Sequence, residues 1–170
     1  MKTNSEFFPL TDLARRFVDQ LAQCRRLKLT VHEASEHHVL IELPYSTELI
    51  GYPDTGVIHG GVITTLMDTA SGCAVVCAIK HKYQSLEISP TFDLRVDYMK
   101  PAVPHRPVFG FAECYRLSSN IAFTRAIAYQ DSIDDPIAHA VGSFMRISPE
   151  MVGEDFRRAL MGENTGVTHD

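Results

Sequence analysis

No basic run breaks the 170 residues of this chain: 16 Lys and Arg face 21 Asp and Glu, a net charge of -5. Phosphate backbones are gripped by clustered Lys and Arg, so nucleic-acid binding is excluded as a function. No apolar h-region follows Lys2, where Asn4, Ser5 and Glu6 stand instead, and a cytoplasmic location is the expectation. A G-x-S-x-G nucleophile elbow is missing, Ser118-Ser119 being turn material, which argues against a serine hydrolase. A phosphate-loop fingerprint is missing too. Cysteine is scarce, and Cys24, Cys73, Cys77 and Cys114 sit in apolar or helical surroundings, which suits reduced core residues better than a disulfide framework. Cys73 and Cys77 are four apart, but no paired His or further Cys stands at ligand spacing, so no metal site is expected.

Apolar residues make up 45% and charged ones 22%, the composition of one ordinary globular domain. The chain is organised around Gly56 to Ile79, a glycine pair followed by an almost continuously apolar run holding one carboxylate, Asp68. Val62 to Ile79 is long enough to be weighed as a membrane span. Asp68, Thr64, Thr65, Thr69, Ser71 and Gly72 lie within it, and a mid-span acid costs about 3 kcal/mol on insertion scales. A helix wrapped by its own protein, with no membrane span, is therefore expected.

Around that helix the periodicities alternate. Thr11 to Leu27 reads as an amphipathic helix capped by Thr11 or Asp12. Leu27 to Glu33 and His38 to Leu43 read as strands around a turn at Ala34-Ser35-Glu36, with His37 and His38 at the surface. Tyr45 to Val57 reads as a loop of the length that often carries function. Thr91 to Tyr98 places Phe92, Leu94, Val96 and Tyr98 on one face and Asp93, Arg95 and Asp97 on the other. Pro107 to Leu117 and Ile121 to Asp131 flank a hairpin turn at Ser118-Ser119-Asn120, and a last strand spans Pro136 to Ile147. A short helix is expected around Glu154 to Met161. One buried helix among about five strands is an α+β architecture, an antiparallel sheet folded around a helix. Residues 1–26 form an N-terminal helical extension, 27–148 the main domain and 149–170 a tail.

Gly60 and Gly61 at a helix start let another group approach the backbone. The first helical N–H groups have no intrahelical partner, and the positive dipole end lies behind them. Such a donor suits a developing oxyanion, where one is worth about 3–4 kcal/mol; close packing against a strand would also ask for glycine. A carboxylate on a buried helix must be hydrogen-bonded, paired or raised in pKa, states that suit a general base or nucleophile. At 1.5 Å per residue Gly60 and Asp68 lie about 12 Å apart, too far to serve one carbonyl. If both are catalytic, they belong to different sites, and antiparallel pairing of two such helices in a dimer would oppose Gly60 of one subunit to Asp68 of the other.

Three motifs now stand in order: His59-Gly60-Gly61-x4-Leu66-x-Asp68, then Asp93-Leu94-Arg95-Val96-Asp97-Tyr98-Met99-x-Pro101-Ala102, then Ile121-Ala122-Phe123-Thr124. Together they resemble the hotdog-fold acyl-CoA thioesterases of the PaaI/THEM2 type over residues 27–148. The resemblance implies a hotdog fold, homodimers or dimers of dimers, and hydrolysis of an acyl-CoA with no cofactor beyond the CoA of the substrate. It implies Asp68 as general base or nucleophile, the Gly60 N–H as donor to the thioester oxygen, and His59 and Thr91 as orienting residues. Gly61, Thr65, Tyr52, Phe123 and Arg146 complete the expected site as substrate contacts, with Arg146 one of a group (Lys80, Lys82, Lys100, Arg116, Arg125) available to CoA phosphates. The family's loop Asn, six or seven residues before the His, is replaced here by Pro53 and Tyr52. A non-catalytic acyl-CoA binder is the first alternative, and an enoyl-CoA hydratase the second.

Overall fold

The computed structural model describes residues 9–163. Helices α1 (Leu10–Gln20) and α2 (Ala22–Leu27) lead into β1 (Thr30–Ala34) and β2 (His38–Leu43). A short ribbon, β3 (Ile50–Tyr52) and β4 (Val57–Ile58), precedes the central helix α3 (Gly60–Tyr83). Strands β5 (Thr91–Tyr98), β6 (Val108–Leu117), β7 (Ile121–Tyr129) and β8 (Ala138–Met145) follow, then α4 (Glu154–Met161). Six strands form one sheet in the order β1-β2-β6-β7-β8-β5, every pair antiparallel. The sheet curls around α3, giving the hotdog arrangement implied by the motifs.

Alternation makes the sheet two-sided. Along β7, Ala122, Thr124, Ala126 and Ala128 are buried towards the helix, so Phe123, Arg125 and Ile127 point to the other face. Small residues on the helix side bring the helix close. A Cβ on Gly110 of β6 would come within 2.9 Å of the Leu66 side chain, so only glycine leaves room for Leu66 there. At the other end of α3, Val75 and Ile79 pack on Ala122 and Phe144.

The helix face away from the sheet is covered by α1, which packs on α3, β1 and α4. Leu13, Ala14, Phe17 and Val18 of α1 join the same buried core as Leu66, Met67, Ala70 and Cys73 of α3. All four cysteines are free, with Cys24, Cys73 and Cys77 buried. Among the described residues α3 is the one helix long and apolar enough to cross a membrane, and 72% of its apolar window is buried inside the fold.

Several expectations are corrected. The N-terminal helix is broken at Leu21, whose extended backbone separates α1 from α2. Pro9, not Thr11 or Asp12, occupies the N-cap of α1. The Thr11 hydroxyl instead donates to the Ala34 carbonyl at 3.0 Å and accepts from its N–H at 3.2 Å, tying α1 to β1. Tyr45 to Val57 is not a bare loop, since it contains β3 and the start of β4. Leu27 closes α2 rather than opening β1, and Lys28 turns the chain through a left-handed conformation (φ 55°). Phe92 does not share a face with Leu94: a β-bulge between Thr91 and Asp93 leaves it unpaired and 67% exposed.

Candidate active site

His59 is the N-cap of α3. Its Nδ1 accepts the Gly61 N–H at 2.9 Å, which puts the proton of the neutral ring on Nε2. The His59 carbonyl takes the Val62 N–H at 2.9 Å. The Gly60 N–H, first in the helix, is given to neither, and it has no intrahelical acceptor to reach. It stands at the positive end of a 24-residue helix dipole. Beside it opens a cavity of about 700 Å³, with Ile58, His59, Gly60, Ile63, Tyr98 and Ala102 among its lining residues. Tyr52 reaches the same cavity from β3 and is 77% exposed.

Eight residues along, Asp68 is half-buried rather than enclosed. It accepts a hydrogen bond from the Thr91 hydroxyl at 2.7 Å, so of the ways to keep a carboxylate on this helix the chain uses hydrogen bonding. The bulge at Phe92 makes that contact possible. Thr91 pairs with Phe144, which faces the helix, whereas Asp93 pairs with outward Ser143; the extra residue re-aims the side chain before it. Behind the acid, Thr69 meets the Cys24 thiol of α2 at 3.7 Å. Burial pushes the Cys24 thiol up, the Thr69 hydrogen bond opposes this, and the nearby Asp68 carboxylate adds to the rise.

Gly61, Thr64, Thr65 and Asp68 recur at three- and four-residue spacing and all remain at least partly exposed, so they form one open strip on the first half of α3. Thr65 donates its hydroxyl to the Gly61 carbonyl at 3.0 Å. The strip lies on the side of β5, an edge strand with one partner, β8.

Two expected substrate contacts sit elsewhere. Phe123 lies on the face of the sheet turned away from α3, its ring 6.4 Å from that of Tyr115. Arg146 is 12% exposed and its fork is occupied: Nε and Nη2 donate to Glu87 at 2.9 and 2.8 Å, and Nη1 donates to the Ser118 carbonyl at 2.9 Å. The Glu87 hydrogen bonds hold its guanidinium above its ordinary pKa, and the Tyr83 ring lies 4.4 Å below it. Of the other cations, Lys100 pairs with Asp135 and Arg125 with Glu113. The sequence reading missed the hydroxyl of Tyr98, which donates to the Gly60 carbonyl at 2.7 Å. Its signal lay inside the second motif, where alternation alone assigned it to the apolar face.

The thioesterase superfamily model matches residues 55–137, from the ribbon through β5 to the start of β8. A Halobacterium salinarum protein named "putative esterase" is 35% identical over 134 residues, covering 76% of this chain and 86% of its own. The chain belongs to the thioesterase superfamily. A Pseudomonas aeruginosa crystal structure, 54% identical, covers 82% of this thioesterase-superfamily chain and 100% of its own, with a TM-score of 0.74. A hypothetical thioesterase from Streptococcus pneumoniae, solved with coenzyme A, is 16% identical, covers 71% and 89%, and has a TM-score of 0.61. At that identity the likeness extends to the fold.

Proposed function

We propose that this protein hydrolyses acyl-CoA thioesters, in sites shared between two copies of the chain. The observation that carries the reading is the Thr91–Asp68 hydrogen bond, which holds a carboxylate on an open helix strip beside an unpaired strand edge. A carboxylate there is available to a substrate, whereas one kept for structure would be closed over. The coenzyme A bound to the Streptococcus pneumoniae relative supports the substrate class.

In this reading the thioester oxygen sits against the Gly60 N–H, where charge developing on it meets a fixed donor and the helix dipole. Asp68 acts from the other copy, because about 12 Å of helix separates it from Gly60 within one chain. It either takes a proton from water as the water attacks the carbonyl carbon, or attacks that carbon itself. The C–S bond then breaks, and the CoA thiolate leaves and takes up a proton. The water route gives the carboxylic acid at once, whereas direct attack leaves the acyl group on Asp68 as an anhydride, which a water must then hydrolyse to release the acid and restore the carboxylate. His59 shapes the donor end by capping the helix, and Thr91 holds the carboxylate in line. Gly61, with no side chain, leaves room for a second helix against the open strip, and exposed Phe92 supplies apolar surface at that edge.

The test is free-thiol release from short, long and aromatic acyl-CoAs. Turnover of at least one is expected, with Asp68→Ala slower by about a hundred- to ten-thousand-fold. Undiminished turnover in Asp68→Ala removes the acid's assignment. Tight acyl-CoA binding in calorimetry without thiol release selects the non-catalytic binder, and loss of enoyl absorbance without thiol release the hydratase.

A further inference from the structure

Tyr98 ends β5 with its ring against the start of α3. A Cβ on Gly60 would meet the ring's Cζ and hydroxyl at 3.3 Å. The hydroxyl lies 2.7 Å from the Gly60 carbonyl and 2.6 Å from the Thr64 hydroxyl. The Thr64 hydroxyl also reaches the Gly60 carbonyl, at 3.3 Å, so two hydroxyls surround that oxygen and touch each other, and either can donate in the contact between them. Core packing does not explain the residue, since Tyr98 is 52% exposed and burying its ring fully was not what fixed it there.

The Gly60 carbonyl and the Gly61 N–H belong to one peptide group. Tyr98 holds its oxygen while His59 Nδ1 holds its hydrogen at 2.9 Å. Two glycines in succession at a helix start have the widest backbone freedom in the chain, and a donor that swings is a poor oxyanion donor. We propose that Tyr98 is a positioning residue for the oxyanion donor: it pins the Gly60–Gly61 peptide against the His59 cap and so fixes the Gly60 Cα that carries the donor N–H, which itself belongs to the neighbouring His59–Gly60 peptide. The inference rests on the hydrolytic reading above and adds to it a residue that acts through Gly60 rather than on the substrate.

Tyr98→Phe keeps the ring and removes the clamp. Its kcat is expected to fall about tenfold, with KM and the Kd of a non-hydrolysable thioether analogue of the best acyl-CoA within about twofold, since only transition-state stabilisation is lost. Thr64→Val, which removes the second and longer hydroxyl contact to the Gly60 carbonyl, lowers kcat in the same direction by less. Hydrogen exchange at Gly61 and Val62, whose N–H groups are bonded to His59, speeds up in Tyr98→Phe, a readout independent of turnover. Wild-type kcat in Tyr98→Phe, alongside a disabled Asp68→Ala, overturns the inference and leaves the hydrolytic reading standing. A fall in kcat matched by an equal loss of analogue binding also overturns it. Absence of thiol release by the wild type overturns the hydrolytic reading instead, and equal exchange in wild type and Tyr98→Phe then overturns the clamp.

Discussion

The two halves of α3 are built to opposite ends. From Thr69 to Ile79 every residue is buried, and even the thiols are turned inward, Cys73 and Cys77 reaching the Ala14 and Leu10 carbonyls of α1 at 3.9 and 3.8 Å. From Gly60 to Asp68 the helix keeps an open strip and a first N–H with no partner of its own. The contrast gives one helix a core half and an open half on which the proposed site is built. The second half is gripped on both faces, so the first half need not spend its polar groups on holding position.

The comparison breaks most sharply at Gly60→Pro. Proline is accepted at the first position of a helix, and extended His59 (φ -61°, ψ 135°) suits the residue before it. The new Cβ must push the Tyr98 ring aside. The fold is expected to survive while kcat drops by at least about a hundred- to a thousandfold, the usual loss of one oxyanion donor, with the displaced Tyr98 adding to it. Mixing Gly60→Pro with Asp68→Ala chains and allowing exchange sharpens it further: each mixed dimer regains one complete site, so activity reappears only if sites are shared.

Ile79→Ala probes the closed half. With Ile79 fully buried, the cavity costs about 2–5 kcal/mol in a denaturant titration, while kcat per folded molecule stays at the wild-type value. A loss of kcat without a loss of stability would erase the division between the halves. The smallest effect is on thiol labelling. Burial raises Cys24, and Cys73 is raised well above the ordinary thiol value by the Cys77 thiol beside it and by burial. A raised pKa leaves less thiolate near pH 8 and both residues are buried, so neither is expected to react with a thiol reagent in the native protein, whereas Cys114, also raised by burial but partly exposed, reacts slowly.

Much of this division was legible before any coordinates. Gly60 and Asp68 stood out because glycine pairs and lone acids are poor packing material, and helical rise alone separated them. The hairpin at Ser118 was equally plain, its hydroxyl bonding the Ile121 carbonyl at 2.6 Å. What stayed hidden depended on partners distant in sequence. The break at Leu21 follows from how α1 and α2 fit the core, and Glu87 claims Arg146 from 59 residues away. The bulge at Phe92 is a matter of register against β8, so strict alternation assigned Phe92 to the helix side that Thr91 occupies. Tyr98 was counted correctly as facing inward, but alternation says nothing about where a hydroxyl lands.

Strand β5 begins at Thr91, which holds the Asp68 carboxylate, and ends at Tyr98, which holds the Gly60 carbonyl. It is also the strand with a free edge. Under the proposed function one strand therefore reaches both ends of the site, and a second copy docking along it would act on rate as well as on affinity. In that reading association and turnover would draw on the same eight residues, so a substitution in this strand would be felt in both.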